Sequence, residues 1–168
     1  ILGEVYIDLS EDTMATVGVR YNDDTVKDSV ASCLTFFSCP NYPLSQKQSG
    51  EYGFHPTQVI ETDDAIGYKL AIQHNLADNQ MVYASYTTAT KAGGNNPNST
   101  GTPDPYDQEE TGVFEIGTKS ILLDGAMLFN AAYFQNTTDG MLISSIVNAG
   151  SRNVNTDAEI NGFEGNLL

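Results

Sequence analysis

Seven short runs of this chain alternate apolar and polar residues, and the connections between them come in two lengths, short and long by turns. Val5, Ile7 and Leu9 alternate with Glu4, Tyr6 and Asp8, and after Ser10, Glu11 and Asp12 the pattern returns as Ala15, Val17, Val19 and Tyr21. A period of two places successive side chains on opposite faces of a strand, so each run has one apolar and one polar face. Further runs are read at 66–73, 80–90, 112–122 and 126–135, the last with room to continue through Met141 to Val147. A reversal over 148–156 then leads to a seventh strand at 158–168. The connections after the first, third and fifth runs are short, and the last of these holds Asp124-Gly125, a strong hairpin signal. Those after the second, fourth and sixth are long and polar. In an up-and-down antiparallel sheet, alternate connections share an edge. One rim therefore carries tight turns and the other long loops, the asymmetry of bacterial outer-membrane barrels.

Charge divides along the same line. Of 22 acidic and 7 basic residues, the long connections (22–64, 92–110 and 136–159) hold 14 of the former and 3 of the latter, most of the net −15. Within the strands, Glu4, Asp8, Arg20, Lys69, Glu115 and Lys119 lie opposite the apolar side chains. A barrel would point these groups into a watery bore, since Arg or Lys on the lipid face near the midplane costs about 2–4 kcal/mol. A soluble β-sandwich binding carbohydrate or calcium would use the same alternation with the apolar face sealed between two sheets.

Other classes are disfavoured. No apolar run reaches the length of a transmembrane helix; the nearest approach, 121–134, is broken by Asp124, Gly125 and Asn130. The acidic balance supplies no basic patch, so nucleic acid is not an expected partner. No nucleophile motif, phosphate loop or metal-ligand spacing occurs, and no enzyme, cofactor or metal is expected. His55 and His74 read as surface residues. Acidic groups at Asp23/Asp24/Asp28, Glu61/Asp63/Asp64 and Asp104/Asp107/Glu109/Glu110 lack EF-hand spacing and read as solvated loops. Cys33 and Cys39 are close enough for a small disulfide loop in an oxidising compartment, with two separate thiols as the alternative. The first residues read as the middle of a strand and the last as an abrupt stop, so the chain is read as an excerpt of something longer.

Residues 81–94 (MVYASYTTATKAGG) are similar to the YASYSxGxKxGG strand of the TonB-dependent receptors. Residues 114–119 (FEIGTK), 122–125 (LLDG) and 128–134 (LFNAAYF) follow the family's YEIGxKxxLLDGRLxLNxAxF hairpin. Residues 17–24 (VGVRYNDD) and 160–164 (INGFE) resemble two further blocks in family order. Ala126 stands where the family often has Arg, and Thr88-Ala89 replaces its Arg/Gly, which removes a lumen-facing cation. The resemblance implies an all-β, antiparallel transmembrane barrel of about 22 strands, of which residues 1–168 supply about seven, without the plug domain. It further implies an active-transport receptor in the bacterial outer membrane. Such a receptor is embedded in lipid, driven by the TonB complex through the missing N-terminal part, and takes up a small ligand such as a ferric siderophore. A passive porin is the alternative within the same class. On that reading Tyr42, Tyr52, Phe54 and Tyr106, aromatics on the long loops, are candidate ligand contacts.

Overall fold

The computed structural model describes residues 1–28, 58–61, 65–96, 104–147 and 150–168. Its strands are β1 (Leu2–Asp8), β2 (Thr13–Asn22), β3 (Thr25–Asp28), β4 (Gln58–Glu61), β5 (Ala65–Ala77) and β6 (Gln80–Lys91). They continue with β7 (Gly94–Asn95), β8 (Pro105–Tyr106), β9 (Glu109–Leu122), β10 (Met127–Val147) and β11 (Gly150–Leu167). Seven of them form one antiparallel sheet in the order β1-β2-β5-β6-β9-β10-β11. Chain order and sheet order coincide, the meander expected of an up-and-down wall. The pairs β3–β4 and β7–β8 are two small separate ladders inside the long connections.

The register fixes which side chains share a face, because directly paired residues project to the same side. One row across the sheet reads Ile7, Ala15, Ile72, Ala84, Ile116, Tyr133, Phe163. The next row on the opposite face reads Tyr6, Thr16, Ala71, Ser85, Glu115, Phe134, Gly162. Large apolar residues on the first face stay open: Leu70 is 52% exposed and Ile116 48%. Among the described residues the only buried apolar side chains are Ala65 and Ala132, both on the second face, and no large side chain is fully buried. A single-layer sheet with no core and an uncovered apolar face is unstable in water, and it is what a barrel wall requires in lipid. The sandwich, with its apolar face sealed under a second sheet, is not the arrangement found.

The apolar band crosses the sheet obliquely. Its upper limit is Tyr21 on β2, which faces Ile66 on β5. On β6 it has dropped to Tyr86, which faces Leu70, four residues beyond Ile66. Tyr86 faces Phe114 on β9, whose partner on β10 is Gln135, so the limit falls two more residues to Tyr133, opposite Phe163 on β11. Six residues at about 3.3 Å, against five interstrand steps at about 4.8 Å, put the strands roughly 40° from the normal of the band. Transmembrane barrel strands tilt by about 35–45°.

The turns follow the expected rims, with differences in extent. The β5–β6 turn is only Asp78-Asn79, so His74 sits within β5, where its Nδ1 meets Thr13 Oγ1 at 2.9 Å. Leu123, Asp124 and Gly125, all at positive φ, form the turn between β9 and β10. The largest departure is in the third long connection: β10 runs to Val147, the continuation the sequence leaves room for, but β11 starts at Gly150, eight residues before the expected 158. This arm rises above the apolar band, where both faces are wet, so no alternation marks it in the sequence. A bulge interrupts it between Thr138 and Met141, where Gly140 adopts φ +67°, a conformation that favours glycine.

Candidate functional site

The polar face is built by the same alternation that builds the apolar one. Glu4 and Lys69 reach each other across Gly18, which separates them in the row, and Lys69 Nζ donates to Glu4 Oε1 at 2.9 Å. A Cβ at Gly18 would stand 3.2 Å from that of Lys69, so the glycine lets the ion pair lie close to the sheet. Toward the short-turn rim, β6, β9, β10 and β11 bring together Tyr83, Glu115, Lys119, Asn130, Glu164 and Asn166 around an open groove of about 450 Å³. The Tyr83 hydroxyl donates to Glu115 Oε1 at 2.6 Å, and Lys119 Nζ lies 5.5 Å from the Tyr83 ring centroid. The strand charges expected on this face (Glu4, Asp8, Arg20, Lys69, Glu115, Lys119) all have the parity that puts them there, and Glu164 joins them. The groove as a cluster was not anticipated, because it depends on register across four strands. Only the repeated polar residue at every second position hinted at it.

On the long-connection rim, the segment after β6 folds onto the β10–β11 arm. Asn96 Nδ2 donates to the Asn153 carbonyl at 2.8 Å, and its Oδ1 accepts from the Asn153 amide at 2.6 Å. Asn155 repeats the two-point grip on Asp107, through its Oδ1 to the amide and its Nδ2 to the carbonyl, at 2.9 and 3.0 Å. Arg152 donates from Nε and Nη2 to the two oxygens of Asp104 at 2.9 and 2.8 Å. That fork holds the Asp104 carboxyl below its ordinary range and raises Arg152. Asparagine suits such a tie because one amide both donates and accepts, matching a backbone N–H and C=O together.

Of the expected ligand contacts, Tyr106 belongs to β8, opposite Gly94, and its ring lies against that glycine at the base of the strapped segment. Tyr42, Tyr52, Phe54, Cys33, Cys39 and His55 lie outside the described residues. Among the described residues, no three His, Cys, Asp or Glu side chains are grouped to hold a metal ion, and no helix is long and apolar enough to cross a membrane. The lumen-side groups offer hydrogen bonds and paired charges to a polar solute.

The family described as TonB dependent receptor-like, beta-barrel, matches residues 2–167. Among solved structures, the copper transporter OprC superposes with a TM-score of 0.70 at 19% identity, over 99% of this chain and 26% of its own. The ferric yersiniabactin uptake receptor FyuA from Yersinia pestis gives 0.62 at 17% identity, over 99% and 26%. The alcaligin outer membrane receptor FauA from Bordetella pertussis gives 0.59 at 16%, over 96% and 25%. No curated protein matches. The chain thus spans about a quarter of the length of these structures, and at such identities they speak for the fold alone. Members of the matched family are outer-membrane transport receptors rather than enzymes. With a barrel family covering nearly every residue, and a tilted, single-layer wall whose two faces are sorted for lipid and water, this chain belongs to the TonB-dependent receptor family.

Proposed function

We propose that this chain forms part of the wall of a receptor that captures a scarce metal chelate of the ferric-siderophore type and imports it with energy delivered through TonB. The observation that carries this reading is the sorting of the sheet. A lipid-facing apolar band backs onto a face of paired charges and hydrogen-bonding groups, and a strapped arm rises above it. A bore lined in this way keeps a polar solute hydrated, while an arm standing above the band is placed to meet the solute first. FauA and FyuA, named for alcaligin and for ferric yersiniabactin, support the chelate class, and OprC, a copper transporter, marks how wide that class runs.

In this reading Tyr42, Tyr52, Phe54 and Tyr106 supply aromatic contacts from the outer loops. A Cys33–Cys39 disulfide braces the loop that carries the first three. The plug and the TonB-contacting segment belong to parts of the receptor beyond this chain, and the open edges at β1 and β11 pair with further strands of the same barrel, since lipid offers unpaired backbone groups no hydration.

The test is uptake of labelled ferric siderophores by cells carrying or lacking the full-length protein, with and without a functional TonB. Loss of energised uptake of one chelate on deletion is the expected result. Uptake that persists without TonB would identify a passive pore instead. Uptake of every chelate unchanged by the deletion would remove the chelate class.

A further inference from the structure

Asn153 lies on β11 opposite Ser144, in the arm above the apolar band. Its side chain closes that cross-strand pair, with Ser144 Oγ donating to Asn153 Oδ1 at 2.6 Å. Its backbone is engaged elsewhere. The Asn153 N–H donates to Asn96 Oδ1 at 2.6 Å, and the Asn153 C=O accepts from Asn96 Nδ2 at 2.8 Å. A residue of an antiparallel strand turns its N–H and C=O to one edge, so Asn153 presents both at the edge of β11 away from β10. Alternation carries the same edge down the strand. Leu168 exchanges both backbone bonds with Leu128 on the β10 side, which leaves Gly165 and Phe163 facing outward like Asn153. At Asn153 one side-chain amide takes the two positions that a paired strand would take. Asn96 is 3% exposed, and its own N–H donates to the Asp104 carbonyl at 2.9 Å, which extends the β7–β8 ladder to this edge. The Arg152–Asp104 fork holds the neighbouring residue of β11 to the same ladder. A polar side chain this buried needs both donor and acceptor met, and Asn153 meets both.

We propose that Asn96 is a stop for the sheet. In the full-length receptor, the strand that pairs with the outer edge of β11 runs past Gly165 and Phe163 and is shut out at Asn153. The partner of that edge is thus the next strand of the same barrel, admitted over the height of the apolar band only. Above it the β10–β11 arm stands free of the wall and leaves a gap in the rim on that side. The inference rests on the reading of this sheet as part of a closed barrel wall. Two physical needs meet here. Within lipid an unpaired N–H or C=O has no water to bond, so a strand must pair with the edge. Above lipid a bare edge would recruit any extended chain, the arm of a second receptor included, and a cap removes that hazard. An asparagine donates and accepts as a strand residue does, without a backbone on which the pairing could continue.

The experiment is residue-resolved amide exchange on the full-length protein in detergent micelles, with protection measured against the intrinsic rate. Gly165 and Phe163 are expected to be protected in the parent and in the folded variant, since a strand holds them. Asn153 is expected to be protected in the parent and to lose roughly tenfold in Asn96→Leu, the worth of one hydrogen bond. Protection at Asn153 that survives intact in Asn96→Leu overturns the proposal, because a strand and not the side chain then holds that amide. So does an unprotected Asn153 in the parent. Should Asn96→Leu fail to fold, the parent alone decides. Magnetisation transfer between the Asn153 N–H and the Asn96 Nδ2 protons is then expected, and its absence overturns the stop. Unprotected amides at Gly165 and Phe163 in the parent would remove the barrel wall and the stop together. That result is distinct from loss of the stop alone, in which those two amides stay protected.

Discussion

Arg152 on β11 grips Asp104 with two parallel hydrogen bonds of 2.9 and 2.8 Å, joining residues 48 apart in sequence across the rim of the sheet. The fork is one of three ties, with Asn96 on Asn153 and Asn155 on Asp107, that make the segment after β6 and the β10–β11 arm a single body. Its electrostatic part is pH-dependent with a definite sign. The Asp104 carboxyl is depressed by the guanidinium, so its contribution is present at neutral pH and is lost as pH falls through that lowered value. The protection of the amides at 104–107 in the full-length protein, measured against the intrinsic exchange rate at each pH, is expected to fall in acid, and to be already low at neutral pH in Arg152→Gln. Exchange in Arg152→Gln that matches the parent at every pH would show that the two asparagine clamps hold the segment unaided.

The assignment of faces is tested by neighbours. Ile72 and Gln73 are adjacent on β5 and project to opposite sides, Ile72 in the row of Ile116 and Gln73 in the row of Tyr83. Ile72→Arg is expected to cost about 2–4 kcal/mol of folding free energy in lipid vesicles. Gln73→Arg, facing water between Met14 and Tyr83, is expected to stay within about 0.5 kcal/mol. Both are read from urea titrations of the barrel in the same vesicles. Equal losses at the two positions would mean that neither face meets hydrocarbon.

How much of this was legible beforehand follows from which medium each residue meets. Where one face touches lipid and the other water, as at Val17 to Tyr21 or Ile66 to Ile72, alternation survives in the sequence and fixes strand, face and hairpin order together. The arm from Gln135 to Asn161 meets water on both sides. Its Asn, Thr, Ser and Asp residues alternate nothing, so the sequence leaves room for the strand to continue to Val147 but reads 148–156 as a reversal, although residues from Gly150 on are paired to β10. The strap is silent for a different reason. Asn96, Asp104, Arg152 and Asn155 are ordinary loop residues until a register shared by several strands brings them together, and no spacing along the chain encodes that. The polar groove lies between these cases: its charges were placed on the correct face, but their grouping around Tyr83 needed the pairing of β6 with β9.

Close approach at a glycine gives a third prediction. Gly117 sits opposite Tyr83, and a Cβ there would lie 2.7 Å from both the Tyr83 hydroxyl and the Ala131 carbonyl oxygen. The carbonyl belongs to the ladder and cannot rotate away, so Gly117→Ala must displace backbone as well as ring. Overpacking of this kind costs about 1–3 kcal/mol. The variant is expected to unfold at a lower temperature, and adding Tyr83→Ser is expected to recover only part of the loss, since the carbonyl contact remains. Full recovery in the double variant would place the whole conflict in the side chain.

The turn between β9 and β10 holds a strain that a single substitution relieves. Leu123 adopts φ +53° and is 72% exposed, so a branched apolar residue occupies the left-handed region with no packing to compensate. Asp124 follows at φ 53°, ψ 36°, where Asp is at home because its short polar side chain tolerates that conformation. Asparagine tolerates it equally, and the left-handed region costs other L-residues about 1–2 kcal/mol. Leu123→Asn is therefore expected to raise folding stability by about 1 kcal/mol, visible as a higher urea midpoint with unchanged slope. Asp124→Val, which puts a β-branched side chain into the same region, is expected to lower it by a similar amount. The two signs together separate backbone strain from any contribution of Leu123 to the interface: if this leucine anchors the rim in the headgroup layer, Leu123→Asn lowers the midpoint while Asp124→Val still lowers it too.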